Sequence, residues 1–211
     1  MRLSPGKFNS FLNKMSQSVA WQKSHDCPCK DSNSGAAKYD CGACNAVGHL
    51  WDEVVTDLVA LSGQRTQRAW ESFGAYETGD VVVTIPSSSE VYDIGEFDRV
   101  VMSDSSLPFS ITKLHDSTEK VQFKNVTVSR VFWLDDSDNV VEGGLPDVGE
   151  DGTPTWASGE PPTGKQYTIT GRRSPEYFMY QDFPQDRAHH GGMNLPRKVV
   201  LRSFELMNKS L

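Results

Sequence analysis

Four cysteines, the only ones in the chain, fall within eighteen positions as Cys27-Pro-Cys29, an eleven-residue loop, and Cys41-Gly-Ala-Cys44. Thiolates are soft ligands, and zinc takes four of them at the corners of a tetrahedron, each about 2.3 Å away. A C-x-x-C turn presents two sulfurs to one ion. The loop Lys30–Asp40, rich in Ser, Gly, Asn and Asp, lets the chain return with the second pair. Gly48, four residues after the last cysteine, suits a tight knuckle whose amides point at sulfur. The spacing therefore predicts a zinc knuckle held by Cys27, Cys29, Cys41 and Cys44. A catalytic zinc keeps one position open for water; four thiolates leave none, so the expected role is structural. The competing readings are two disulfides or four unrelated thiols. No signal peptide precedes the cluster, so an oxidising compartment is not indicated. The C-x-C half is tighter than C-x-x-C, and His25 or His49 could replace one sulfur.

Other reactive residues make weaker cases. His189 and His190, beside Asp186 and Arg187, invite a catalytic reading. Adjacent histidines point in different directions, however, and Gly191-Gly192 follows them, so a polar turn is expected. Asp135, Asp136 and Asp138 resemble a calcium-binding run without the glycine and bidentate glutamate that such a loop needs. No G-x-S-x-G, P-loop or H-E-x-x-H occurs. The chain reads as a non-enzyme.

The elements around these residues are mostly strands. The chain has 211 residues, 37% hydrophobic, with 17 glycines and 11 prolines. That length suits one domain with a small appendage, and the punctuation favours short strands over long helices. No stretch reaches the roughly eighteen apolar residues needed to span a bilayer. A net charge of −7 argues against gripping nucleic acid by phosphate neutralisation.

Residues 1–26 read as an N-terminal arm, with Arg2, Lys7, Lys14 and Lys23 and no acid before Asp26. Phe8, Phe11, Leu12, Met15, Val19 and Trp21 could line a short helix, and the charge suits docking on an acidic partner or sister subunit. The knuckle follows at 27–50. Residues 51–211 read as a β-barrel domain, with strands expected at Val54–Leu61, Gly79–Pro86, Asp98–Met102, Glu119–Leu134 (with a turn or bulge at Lys124–Asn125), Gln166–Thr170, Glu176–Tyr180 and Arg197–Phe204. Asp135–Glu160 holds eight acids and no Lys or Arg, and reads as a long acidic hairpin loop. The fold class is mainly β: a small barrel or sandwich with an arm, a zinc-binding knuckle and an acidic hairpin.

The order of several motifs resembles the neck proteins of tailed bacteriophages, the head–tail connector or head-closure group. The likeness spans roughly Cys27–Phe204. It rests on the cysteine knuckle, Trp70-Glu-Ser-Phe-Gly74, Gly79–Pro86, Tyr92–Val100, Tyr177-Phe-Met-Tyr180 and Leu195-Pro-Arg-Lys-Val199. The knuckle and the acidic insert depart from the shorter family pattern. The resemblance implies a β-barrel protomer in a homo-oligomeric ring, hexameric or dodecameric, between portal or adaptor and tail proteins of the virion. DNA would pass through it without sequence-specific binding. Other readings are another tail ring, such as a terminator or baseplate component, or a zinc-ribbon module that binds nucleic acid or protein.

Overall fold

The structure, a computed structural model, describes residues 4–184 and 188–209. It is mainly β, with 39% strand and 12% helix. Helix α1 (Pro5–Lys14) leads into β1 (Ser16–Gln22). The short strands β2 (Ser24–Asp26) and β3 (His49–Trp51) flank the cysteine loop. Then come β4 (Val55–Leu61), α2 (Gln64–Glu71), β5 (Val81–Ile85), a 3-10 turn at Glu90–Asp93, and β6 (Arg99–Met102). Next are β7 (Leu107–Leu114), β8 (Thr127–Leu134), β9 (Val140–Glu142), β10 (Asp147–Val148), β11 (Pro154–Thr155) and β12 (Gln166–Arg173). The chain ends with β13 (Glu176–Asp182), β14 (His189–His190), β15 (Met193–Asn194), β16 (Arg197–Ser203) and a 3-10 segment at Phe204–Lys209.

The chain forms two compact units, 1–104 with 176–211, and 105–175. The first is built on a closed six-stranded barrel in the order β1-β4-β5-β16-β13-β6, every pair antiparallel. Closure leaves no sheet edge in this barrel. Val19, Val59, Val83, Ile85, Val100, Met102, Met179, Val199 and Leu201 form its core. Val91 and Ile94, from the 3-10 turn and its end, pack into the same cluster. The run Val81–Ile85 is apolar on both faces because its second face is also covered. Val82 and Val200 pack with the fully buried Trp70 of α2. A charged cluster sits beside that indole: Asp80 accepts hydrogen bonds from Trp70 Nε1 (2.9 Å) and from Arg202 Nε (3.0 Å) and Nη2 (2.9 Å).

The second unit is a four-stranded antiparallel sheet, β7-β12-β8-β9, with the small β10–β11 ladder. Its core is Phe109, Val121, Val131, Tyr167 and Ile169, with Val148 and Trp156 packed against them.

Several expectations need correction. The arm expected at 1–26 is not all arm. A helix does form, but it stops at Lys14, and Ser16–Gln22 is barrel strand β1, with Val19 fully buried in the core. Val19 and Trp21 obey a two-residue period within a strand, not the continuation of a helical stripe. In 119–134, only Thr127–Leu134 is strand; Asn125, at φ +51°, makes the expected turn. The acidic stretch 135–160 is not a bare loop, since it supplies β9, β10 and β11. The strands expected near 54–61, 79–86, 98–102, 166–170, 176–180 and 197–204 are present with small shifts of boundary. Arg2, Asp186 and Arg187 lie outside the described residues. Among the described residues, no helix is long and apolar enough to cross a membrane.

Candidate metal centre

The β2–β3 ladder, Ser24 with Trp51, His25 with Leu50 and Asp26 with His49, is the stem of the cysteine lobe. At its top the Cys27 N–H donates to Gly48 O (2.9 Å), and the Lys30 N–H donates back to Cys27 O (3.0 Å). The loop between the cysteine pairs closes on Asp31. Its Oδ1 accepts the N–H groups of Asn33 and Ser34, and its carbonyl accepts the Gly35 N–H. This is local side-chain closure of the kind Asp favours in turns. The second cysteine pair is held by the Asn45 N–H to Cys41 O and the Val47 N–H to Cys44 O. Asn45 and Ala46 both take positive φ to allow this turn.

The result brings all four predicted sulfurs together. Cys27 Sγ lies 3.8 Å from Cys41 Sγ, and Cys29 Sγ lies 3.5 Å from Cys44 Sγ. All four lie within 4.8 Å of one another. All four cysteines are free thiols, so the two-disulfide reading does not describe this structure. A tetrahedron with metal–sulfur bonds of about 2.3 Å has edges of about 3.8 Å, so the spacing fits a four-coordinate ion with little movement. These four cysteines could bind a metal ion.

The expected amide-to-sulfur contact is present: the Gly48 N–H points at Cys44 Sγ, 3.3 Å away. The protonation pattern is uneven. Backbone N–H groups of Cys44 and Ala43, and the neighbouring Cys29, draw the Cys41 thiol down to about 6. The Lys38 backbone also donates to Cys29, but desolvation and the three adjacent sulfurs outweigh it and push Cys29 up to about 12. Sulfurs crowded this closely share protons, and a bound cation takes the place of those protons.

Neither histidine joins the sulfurs. His49 is buried with both ring nitrogens engaged, Nδ1 with Ser24 Oγ (3.1 Å) and Nε2 with Lys30 Nζ (3.2 Å). Burial and the Lys30 charge hold it below its usual range. His25 Nε2 meets Asp52 Oδ2 at 2.8 Å. His49 instead docks the lobe on the barrel, stacked on Phe97 at 4.4 Å between ring centroids. Trp51 Nε1 donates to Phe97 O (3.2 Å). Beside it the buried Asp98 accepts from Trp21 Nε1 (2.9 Å), the Ser24 N–H (2.8 Å), the Gly95 N–H (2.8 Å) and Lys23 Nζ (3.3 Å). Sequence reasoning missed Phe97 and Asp98, because nothing in Glu-Phe-Asp-Arg marks a carboxylate as buried.

The weaker candidates resolve as structure. His189–His190 pairs with Met193–Asn194 around Gly191 and Gly192, at φ +60° and +78°, which is the expected tight turn. Asp135 Oδ1 accepts the N–H groups of Ser137 (2.8 Å) and Asn139 (2.9 Å), and Asp136 meets Lys165 Nζ. The Asp run thus closes the β8–β9 turn. In comparisons with known proteins, no protein-family model matches this chain and no curated protein matches it.

Proposed function

We propose that the protein is a structural ring subunit at the head–tail junction of a tailed bacteriophage, with DNA passing through the ring. The observation that carries this reading is topological. Four segments that carry the likeness, Gly79–Pro86, Tyr92–Val100, Tyr177–Tyr180 and Leu195–Val199, contribute to β5, β6, β13 and β16. These strands lie side by side in the closed barrel as β5-β16-β13-β6. Motifs scattered over some 120 positions of sequence thus come from one continuous patch of sheet, as a shared barrel would require. The acidic balance suits a channel along which DNA slides without sticking.

In this reading the cysteine cluster binds one zinc, held as four thiolates with no open position. Its role is to fold a lobe whose loop, Lys30–Asp40, has almost no apolar surface to bury. Native mass spectrometry of protein purified without chelator tests both claims. The expected result is one zinc per chain and a six- or twelve-fold oligomer. A zinc-loaded chain that stays monomeric at every concentration overturns the ring. A metal-free, fully folded oligomer overturns the zinc. Replacing Cys41 and Cys44 with Ser should release the metal and loosen residues 23–51 in hydrogen exchange, while the barrel amides stay protected.

A further inference from the structure

Helix α1 has two faces of different chemistry. Its inner face is satisfied: Leu12 is buried, and Asn9 exchanges hydrogen bonds with Ser87, Nδ2 donating to Oγ (2.9 Å) and Oδ1 accepting the Ser87 N–H (3.3 Å). Its outer face is not. Phe8, Phe11 and Met15 are 48%, 57% and 64% exposed, at the i, i+3, i+7 spacing that puts them on one stripe. Lys7 and Lys14 flank Phe11 on the same side, at i−4 and i+3, and both are exposed. A shallow groove of about 300 Å³ runs between Gly6, Lys7, Ser10, Phe11 and Lys14. Phe8 and Phe11 between two cations on a ten-residue helix, with Met15 just past its end, form a contact surface of apolar, acidic preference.

The same chain carries the complementary surface. In the β10–β11 hairpin, Pro146 and Gly152 are buried and Val148 packs on the core, so the alternate positions Leu145 and Asp147 face outward. Leu145 is 56% exposed, and Asp147 and Glu150 are exposed with it. Leu145 beside the exposed carboxylates of Asp147 and Glu150 matches exposed phenylalanines beside ammonium groups. Lys124, which reaches the segment, donates through Nζ to the Glu150 carbonyl (3.2 Å) and leaves both carboxylates outward. The two patches are different surfaces of one chain, so their pairing is heterologous, head to tail, the geometry that generates rings.

We infer that the outer face of α1 docks on the Leu145–Glu150 segment of a second copy of this chain, through Phe8 and Phe11 against Leu145 and Lys7 and Lys14 against Asp147 and Glu150. This inference rests on the ring reading above and names the contact that builds it.

The test compares assembly by sedimentation and native mass spectrometry. It uses the wild type, a helix variant (Lys7→Glu, Lys14→Glu), a hairpin variant (Asp147→Lys, Glu150→Lys), a chain with all four changes, and an equimolar mixture of the first two variants. Circular dichroism and metal content confirm that each is folded. Each two-residue variant should assemble about tenfold more weakly or worse, because like charges then face each other. The four-change chain should recover assembly. The mixture should also recover assembly, with the two variants alternating, since the reversed helix of one meets the reversed hairpin of the other and the remaining helix and hairpin keep the wild-type pairing. Variants that assemble as the wild type does overturn the inference and leave the ring standing. A wild type that never assembles overturns the ring and the inference together. A wild-type monomer that binds anionic vesicles, and loses that binding on Lys7→Glu, Lys14→Glu, overturns it in favour of a lipid surface.

Discussion

Gly48 concentrates the local demands of the cysteine lobe on one residue. It sits at φ +83°, its N–H points at Cys44 Sγ, and its carbonyl accepts the Cys27 N–H. A Cβ there would meet Lys30 Cε at 2.8 Å and Ala37 Cβ at 3.2 Å. Gly48→Ala should therefore cost about 1–3 kcal/mol of lobe stability, felt as faster metal loss to a competing chelator with the barrel's unfolding unchanged. The opposite kind of residue is Asp80, whose side chain is fully buried against Arg202. Asp80→Ala would strand the guanidinium, and should lower unfolding stability by about 3–5 kcal/mol, read as a drop in the urea midpoint. Adding Arg202→Met to that variant should recover part of the loss. The four cysteines and Gly48 were legible because their chemistry depends on identity and spacing alone. Asp80, Asp98 and Arg202 were not, since a carboxylate's burial depends on partners that fold in from distant sequence. Trp21 is 77 positions from Asp98, and Arg202 is 122 from Asp80.

At the scale of elements, Asp57 joins β4 to the 3-10 turn. Its carboxylate accepts from Ser89 Oγ (2.6 Å), the Glu90 N–H (2.7 Å) and the Leu58 N–H (2.7 Å). Burial pushes its pKa up, but these donors outweigh that and hold it below its ordinary 3.8. A carboxyl depressed on folding adds stability that is complete above its unfolded pKa and is lost as pH falls through the folded one. Asp57→Asn should thus destabilise the barrel at neutral pH. It should also flatten the fall of stability below about pH 4, measured as the pH dependence of the urea midpoint. An acid limb identical to the wild type would mean the carboxylate holds nothing. Elements were legible where a short β-branched run is bounded by turn or proline signals, as at Val81–Ile85 between Gly79 and Pro86, and at Arg197–Ser203 after Pro196. They were hidden where tertiary packing decides. The strand Ser16–Gln22 has four polar residues and is recruited by pairing with both β4 and β6. Leu107–Leu114 carries Pro108, which speaks against a strand, yet it pairs with β12 along its full length.

At the scale of the molecule, the sequence suggested one barrel domain, 51–211, interrupted by an acidic loop at 135–160. The structure enlarges the interruption to 105–175 and gives it a core of its own. Composition could not mark those boundaries, because the inserted unit is as β-rich as the barrel. The acidic stretch is also integral to that unit: the Val121 N–H donates to Gly152 O (2.8 Å), and Val148 and Trp156 pack on the core. Deleting 141–155 should therefore unfold the second unit instead of trimming a loop. The informative cut lies elsewhere. The chain leaves the barrel after Met102 and returns at Glu176, which pairs with Val101 in the antiparallel ladder of β6 and β13. Two adjacent antiparallel strands need only a short connection, and insertions of whole units are tolerated at such places. Replacing 105–175 with a few Gly and Ser residues should leave a barrel that unfolds in one cooperative transition, keeps its metal, and retains exchange protection at Val83, Val100 and Leu201. It should also fail to assemble, because the Leu145–Glu150 surface goes with the excised unit while α1 stays. A barrel that still assembles would place the ring contact within the barrel unit itself. A barrel that fails to fold would show that the two units stabilise each other.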